Sequence, residues 1–238
     1  MGIRQAFWRW GVRECGGAEV WLAGRRGRGE SGGVDGTTGK EAMETKRAGA
    51  VRHLEGNPTS SLVRAMFEFQ HLKTLYRQGW LRAGISREQC ESVAEHSMGV
   101  ALLALFLADA YFPQLDRLKI LMLGLLHDFG EIHAGDIVPG KMALSEKHEL
   151  EKQSVKRVFS GLAKEKEYLA IWDEFEACQT PEARLVKEVD RLEMGIQASV
   201  YEHEGMAVLG DFFESTDRAV SLPELREIHE ELMRLRGK

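Results

Sequence analysis

The chain has 238 residues, of which 43% are hydrophobic and 29% charged, as expected of a globular protein with one sizeable core. Its net charge of -5 and its pI of about 6.0 disfavour a protein that coats nucleic acid, because such proteins present a basic surface. The longest nearly apolar stretch, Met98 to Ala108, is shorter than the roughly 18 residues of a membrane span. Three widely spaced cysteines indicate neither a disulfide framework nor a cysteine zinc site, so we expect a reducing, cytoplasmic setting.

Residues 1–57 differ in composition from the rest of the chain. They hold 13 of the 25 glycines, and ten basic against seven acidic residues give them a charge of +3, which leaves -8 for the remainder. This glycine- and arginine-rich segment offers little apolar surface to offset its chain entropy, which predicts a disordered N-terminal extension. The functional alternative is an RNA-binding or targeting tail, and a third is a stretch upstream of a true start near Met43. We expect one folded domain over residues 58–238.

The rest of the chain carries helix signals. Caps at Thr59–Ser61 predict a first helix that ends at Gly79. Ser92 and Glu95 form a capping box, which opens a helix to about Tyr111 that is apolar nearly all round and therefore central.

Further helices are expected in the C-terminal half of the chain. Their predicted positions are Leu115 to about Ile132, 145–162, 164–178, a long helix from Thr180-Pro181 to beyond Val200, and a terminal helix from Ser221-Leu222-Pro223. No strand-like alternation, hairpin turn or internal repeat is present in the sequence. The predicted fold is therefore an all-α helical bundle.

Four polar residues stand among core-forming residues on separate helices: His96, His127, Asp128 and Asp190. A lone buried histidine is more often a hydrogen-bonded core residue than a ligand. An adjacent His-Asp pair in an apolar helix indicates more, because a buried carboxylate needs a partner or a metal. Two imidazoles and two carboxylates suit a borderline divalent transition ion.

Two acidic residues follow this pair. Glu131 stands four residues after His127 and would share its helical face, and Asp136 lies in the loop behind it. The alternatives are a surface glutamate and a turn aspartate. Lys147 and His148 further on could add positive charge near such a site, although a solvated helix face is the simpler interpretation.

The ordered set of His96, His127-Asp128 and Asp190 resembles the HD-domain metal-dependent phosphohydrolases, in particular their 5'-deoxynucleotidases. The resemblance covers roughly residues 60–235. The other strings that carry it are Arg77-Gln78-Gly79-Trp80, Glu91-Ser92-Val93-Ala94-Glu95-His96, His127-Asp128-Phe129-Gly130-Glu131, Gly135-Asp136-Ile137, Glu146-Lys147-His148, Val189-Asp190-Arg191-Leu192-Glu193-Met194, Gln197-Ala198-Ser199-Val200-Tyr201-Glu202 and Asp211-Phe212-Phe213-Glu214-Ser215-Thr216.

The resemblance implies a role for each of these site residues. The main divalent ion, which could be Mn, Co, Mg, Cu, Fe or Zn, would be held by His96, His127, Asp128 and Asp190. In some members, Glu131, Asp136 and the backbone carbonyl of Ile137 are associated with a second ion. Glu131 would be catalytic. Arg77 and Trp80 would hold the nucleotide, although bacterial members place this arginine directly before the tryptophan and the present chain spaces them by two residues.

The function implied is hydrolysis of nucleoside 5'-monophosphates, with deoxy forms preferred, to nucleoside and phosphate, by a protein of a family in which homodimers are common. One alternative is another HD-domain hydrolase acting on nucleoside triphosphates, guanosine polyphosphates or cyclic nucleotides. A second is a metal-bound helical scaffold without turnover, whose extension binds RNA. We expect no stable nucleic-acid partner, because the predicted folded domain is acidic.

Overall fold

The computed structural model of the protein describes residues 44–47, 49–138 and 140–237. The predicted extension, 1–57, lies mostly outside this part of the chain, so the domain boundary at residue 58 stays a prediction. The described residues of the extension contact the domain: the amide of Lys46 donates to the carbonyl of Thr74 at 2.6 Å. A 3-10 helix, Ala50–Leu54, follows.

Within the described residues the regular structure is helical, with two isolated β-bridges and no strand, which confirms the all-α prediction. The helices are α1 (Ser61–Phe69), α2 (Gln78–Arg82), α3 (Val93–Tyr111), α4 (Arg117–Leu126), a 3-10 turn (His127–Gly130), α5 (Glu131–Ala134), α6 (Leu144–Phe159), α7 (Glu165–Ala177), α8 (Pro181–His203), α9 (Gly210–Ala219) and α10 (Pro223–Arg236).

Helices α3, α4 and α8 form the centre of the bundle, and α8 also packs against α9 and α10. The predicted capping box begins α3: the Ser92 hydroxyl accepts from the Glu95 amide, and the Glu95 carboxylate accepts from the Ser92 amide. Gly124 of α4 faces the backbone of Ala101 so closely that a Cβ there would lie 2.7 Å from the Ala101 Cα. The two central helices therefore pack at the distance that a glycine allows.

Helix α3 is also long and apolar enough to span a membrane when judged by length and composition alone. The same properties are typical of a core helix, so this is weak evidence for a span. In the described structure, Val93, Val100, Ala104 and Leu107 of α3 are buried in the domain.

The predicted helix up to Gly79 is wrong in its second half. Helix α1 ends at Phe69, and Gly79 lies inside α2. After Phe69 the chain does not continue as a helix, because the carbonyls of Leu72 and Leu75 accept hydrogen bonds from the first amides of α3. These bonds stabilise the N-terminal end of α3, where His96 is located.

The predicted continuous helix Leu115–Ile132 is also interrupted. Helix α4 ends at Leu126, and a 3-10 turn begins at His127. The carbonyl of His127 accepts from the indole N–H of Trp172 at 3.1 Å, while the Glu131 amide donates to the carbonyls of Asp128 and Phe129. A tertiary hydrogen bond therefore tightens the helix at the His-Asp pair. Helix α9 was not predicted.

Candidate active site

The four predicted metal ligands lie together although three separate elements carry them. His96 lies in the first turn of α3, His127 and Asp128 in the 3-10 turn, and Asp190 in the middle of α8. Nε2 of His96 is 3.0 Å from Oδ1 of Asp190 and 3.9 Å from Oδ2 of Asp128. Nε2 of His127 is 3.3 Å from the same Asp128 oxygen. The structure thus joins residues that are up to 94 positions apart.

Both histidines present the same ring nitrogen to this centre. Nδ1 of His127 donates to the carbonyl of Gly124 at 2.8 Å, and Nδ1 of His96 lies 2.6 Å from Oε2 of Glu193. With the proton placed on Nδ1 in each ring, Nε2 carries a lone pair that can bind a metal. The local fold therefore orients both imidazoles as ligands.

The donor atoms fit a divalent ion. Nε2 of His127, Oδ2 of Asp128 and Oε2 of Glu131 are buried and have no hydrogen-bond partner among the described residues. Buried polar atoms without partners are rare in folded proteins and indicate a missing ligand or ion. His96, His127 and Asp128 can each offer a ligand atom within 4.8 Å of the others, and two nitrogens with carboxylate oxygens suit a transition ion.

Three of the four predicted ligands, His127, Asp128 and Asp190, line a cavity of about 120 Å³, and His96 lies behind them. Arg77, Glu131, Asp136 and Ile137, which the sequence also singled out, line the same cavity. Nη1 of Arg77 lies 3.5 to 3.7 Å from carboxylate oxygens of Asp128, Glu131 and Asp136. The site therefore combines a candidate metal centre with one arginine and two further carboxylates.

A profile of the HD domain family matches residues 69–233, well over half of the chain. The chain belongs to the HD-domain family.

Curated relatives of this HD domain are similar over most of their length. The chain is 32% identical to the human protein named 5'-deoxynucleotidase HDDC2 over 182 residues, which are 74% of this chain and 87% of the relative. It is 37% identical to the Danio rerio protein of the same name, over 68% of this chain and 84% of the relative. A Saccharomyces cerevisiae protein, 5'-deoxynucleotidase YGK1, is 34% identical over 57% of this chain and 64% of the relative.

Solved structures share the HD-domain fold. A Pyrococcus horikoshii OT3 protein superposes with a TM-score of 0.64 at 32% identity, covering 73% of this chain and 99% of that one. A Magnetospirillum magnetotacticum protein described as a predicted metal-dependent phosphohydrolase superposes with a TM-score of 0.55 at 26% identity, covering 74% and 95%.

Two acidic residues of the HD domain have opposite pKa shifts. Burial alone raises the pKa of Asp128, but His127 and Arg77 lower it more, and Asp128 stays ionised. Burial raises the pKa of Glu131 well above its ordinary value, and the neighbouring charges of Asp128 and Asp136 raise it further. One carboxylate is thereby kept as a ligand while the other can carry a proton.

The structure places Trp80 behind the active site. Its side chain is 2% exposed, stacks on Phe212, meets Tyr201 edge-on, and donates its indole N–H to Glu91 at 2.7 Å. Trp80 is not among the residues that line the cavity. In this structure the tryptophan supports Glu91, and its contact with a nucleotide stays a prediction.

Asp136 and Ile137 lie where the loop after α5 returns to the site. The Asp136 carboxylate accepts from the amide of Gln78 at 2.6 Å, which fixes the N-terminal end of α2 beside Arg77. Gly135, with a φ of 83°, makes the turn that places Asp136 there. The association of Glu131, Asp136 and Ile137 with a second ion stays a prediction.

Three residues outside the predicted ligand, catalytic and substrate-binding sets contribute to the site. Glu193 bonds the ligand His96, and Glu91 lies close to both. Lys147, interpreted as part of a solvated face, lines the cavity. Glu193 stands three residues after Asp190 and so shares its helical face, a signal that could have identified it.

Proposed function

We propose that the protein is a metal-dependent 5'-nucleotidase that hydrolyses deoxynucleoside 5'-monophosphates to nucleoside and phosphate. The observation that carries the proposal is that three buried atoms able to bind a metal, on His127, Asp128 and Glu131, have no hydrogen-bond partner among the described residues and lie beside Arg77 in one cavity. The family membership supports the reaction class. The names of the curated relatives, 5'-deoxynucleotidases in human, zebrafish and yeast, support the substrate class.

The residues of this chain divide the work of phosphate ester hydrolysis. His96, His127, Asp128 and Asp190 would hold the ion, which when bound polarises a phosphoryl oxygen and lowers the pKa of a water molecule. Glu131, whose pKa is raised by burial, would move a proton between the attacking water and the leaving 5'-oxygen.

Arg77 supplies the fixed positive charge of the site. Burial lowers the pKa of its guanidinium, but Asp136, Asp128 and Glu131 raise it well above its ordinary value, so the charge persists at every relevant pH. A planar guanidinium matches the spacing of phosphate oxygens. Arg77 would therefore orient the phosphate toward the ion.

The cavity favours a single phosphate over a polyphosphate. Its volume of about 120 Å³ is below the roughly 300 Å³ of the smallest typical ligand pockets, so it suits a phosphate group while the nucleoside lies at the mouth. A triphosphate would bring more negative charge to a wall that already carries Asp128, Glu131 and Asp136. The deoxy preference rests on the names of the relatives alone.

A phosphate-release assay over a nucleotide panel tests the proposal. We expect kcat/KM to be highest for dAMP, dCMP, dGMP, dTMP or dUMP with Mn²⁺ or Co²⁺ supplied, and low for dATP and for a 3'-monophosphate. Faster cleavage of dATP than of dAMP would favour the alternative, an HD hydrolase of triphosphates. Equal rates on AMP and dAMP would remove the deoxy preference only. No release from any nucleotide, with metal bound, would favour the scaffold without turnover.

We further propose that the protein is a cytoplasmic homodimer that needs no nucleic-acid partner. The thiols of Cys90 and Cys178 are buried, as suits a reducing compartment. A stripe of exposed large apolar side chains runs along α3 and α4, formed by Met98, Leu102, Phe106, Leu118 and Leu125. A two-fold axis would cover the stripes of both copies at once. Light scattering of the wild type and of Phe106→Glu tests this: a wild-type monomer, or an unchanged dimer in the variant, would contradict it.

A further inference from the structure

Lys147 lies on the wall of the active-site cavity rather than on a solvated helix face. It belongs to the first turns of α6, and its side chain is 33% exposed. Lys147 lines the cavity together with Arg77, Asp128 and Glu131. The next residue, His148, points elsewhere: its ring stacks on Trp172 and Nδ1 lies 3.1 Å from Oε2 of Glu176.

The position of Lys147 is fixed by close packing of α6 on the metal-ligand turn. A Cβ added to Gly130 would lie 2.6 Å from the Cβ of Glu151, so the α6 backbone meets the 3-10 turn where only a glycine fits. Glu151 is one helical turn after Lys147 and pairs with it at 3.4 Å. The glycine contact therefore sets the distance between Lys147 and the His127-Asp128 pair.

The charge on Lys147 is permanent under ordinary conditions. Burial lowers the pKa of its ammonium, but Glu151, Glu131 and Asp128 raise it more, to about 12. Of these carboxylates, Glu131 and Asp128 line the active-site cavity with Lys147.

Lys147 is less committed to protein partners than Arg77 is. Three carboxylates lie within 3.7 Å of Nη1 of Arg77, whereas Lys147 forms its ion pair with Glu151. A phosphate monoester brings up to two negative charges into this wall of carboxylates, and Lys147 is a cation of the wall that can help to balance them. Two further cations line the cavity beside other acidic residues: Lys187 pairs with Glu176 at 3.6 Å, and Arg191 lies 3.8 Å from Asp190. A lysine ammonium on a flexible four-carbon stem can exchange a carboxylate for a phosphate oxygen without moving the backbone.

We propose that Lys147 binds a phosphate oxygen of the substrate from the α6 side of the cavity, an inference that rests on the proposed function. Arg77 and Lys147 then contact the same phosphate group from two different elements. Lys147 acts on binding of the phosphate and has no part in holding the metal.

Calorimetric titration of the Mn²⁺-loaded protein with inorganic phosphate tests the proposal. Lys147→Met keeps the length of the side chain and removes its charge, and it should weaken phosphate binding about 10- to 100-fold, the loss expected for one charged hydrogen bond. Lys147→Arg should restore binding to within a few-fold of wild type. The matched control is Lys152→Met on the same helix, where the lysine pairs with Asp173 at 2.9 Å and does not line the cavity. It should bind phosphate as the wild type does.

Wild-type affinity in Lys147→Met, with metal content unchanged, would overturn the proposal. If that variant does not fold, Glu151→Gln gives the second measurement: it leaves the ammonium without its carboxylate, and phosphate should bind at least as tightly as to wild type. Weaker phosphate binding by Glu151→Gln would also contradict the proposed role of Lys147.

These outcomes are distinct from failure of the proposed function. Phosphate binding requires no turnover, so a protein that binds phosphate through Lys147 and releases none from any nucleotide contradicts the nucleotidase proposal alone. A protein that hydrolyses dAMP with the same KM in wild type and Lys147→Met contradicts the Lys147 proposal alone.

Discussion

Replacing Glu193 by alanine should weaken metal binding although Glu193 is not a predicted ligand. Its Oε2 lies 2.6 Å from Nδ1 of His96, whose ring is 1% exposed. This contact holds the ring with Nε2 toward Asp128 and Asp190, as required of a ligand. Glu91 lies nearby, and one of its carboxylate oxygens accepts the indole N–H of Trp80.

The size of the effect follows from two independent arguments. Loss of a carboxylate that orients a ligating histidine costs about 10- to 100-fold in metal affinity, or about 1.4 to 2.8 kcal/mol. Leaving the buried Nδ1–H of His96 without an acceptor costs about 1 to 3 kcal/mol. The ranges agree, so Glu193→Ala should raise the Kd by one to two orders of magnitude. Glu193→Gln keeps a hydrogen-bond acceptor without the charge, so its Kd for the metal should lie between those of the wild type and Glu193→Ala.

The assay is competition for Mn²⁺ between the protein and a chelator of known affinity, at fixed pH. Glu204→Ala, at the exposed end of the same helix, is the matched control and should leave the Kd unchanged. A Kd for Glu193→Ala within twofold of wild type would refute the positioning role. A large loss of affinity in the Glu204 control would show that the effect is not specific to His96.

Four other expectations follow from the same structure. Glu131→Gln should remain folded and keep its primary ion, while turnover falls about 10²- to 10⁴-fold; loss of that ion would make Glu131 a ligand instead. Gly124→Ala should lower the Tm by several degrees, because overpacking against Ala101 costs about 1 to 3 kcal/mol; an unchanged Tm would show that α3 and α4 can separate freely. Burial raises the pKa of Glu151 from 4.5 to about 7, although Lys147 lowers it in part. Because the pKa is higher in the folded state, the contribution of the Glu151 carboxyl to stability is full below pH 4.5 and is lost as the pH rises through 7. Glu151→Gln should flatten the pH profile of the Tm of chelator-treated protein in that window, and an identical profile would contradict the shift. At a free metal concentration one hundred times the Kd, bound metal should add about 2.7 kcal/mol to the free energy of unfolding, so a chelator should lower the Tm. Equal Tm values with and without chelator would argue against the site.

The fold was predictable where its signals are local. The capping box of Ser92 and Glu95 and the Thr180 cap with proline after it are readable over four residues, and the structure forms both. The break at His127 was not predictable, because it depends on an indole N–H 45 residues further along the chain. The non-helical path after α1 likewise depends on distant residues, because the carbonyls of Leu72 and Leu75 accept from amides of α3.

The active site likewise has residues that could be predicted from the sequence and residues that could not. The sequence identified His96, His127, Asp128 and Asp190 because they are polar residues within apolar helices. A buried polar group needs a hydrogen-bond partner or a metal, and this requirement can be inferred from the sequence alone. Their order on the chain then carried the family resemblance. Lys147 could not be distinguished from its surface neighbours by pattern, since α6 is heavily charged and only the approach of α6 to Gly130 turns that lysine to the cavity.

The charge balance of the site connects these results. The cavity is lined by six carboxyl groups, those of Asp128, Glu131, Asp136, Glu151, Glu176 and Asp190, and by four cations, Arg77, Lys147, Lys187 and Arg191, so carboxyl groups outnumber cations in the described wall. Buried carboxylates in such excess destabilise a fold unless cations or protons compensate them. Burial and the neighbouring carboxylates of Asp128 and Asp136 raise the pKa of Glu131, which favours its protonated form. A divalent ion at the histidines would add positive charge, and a phosphate dianion would be balanced by that ion together with Arg77 and Lys147 on the proposal made above. On this argument the metal and the two cations act together, and removal of any one should weaken phosphate binding more than it weakens the fold.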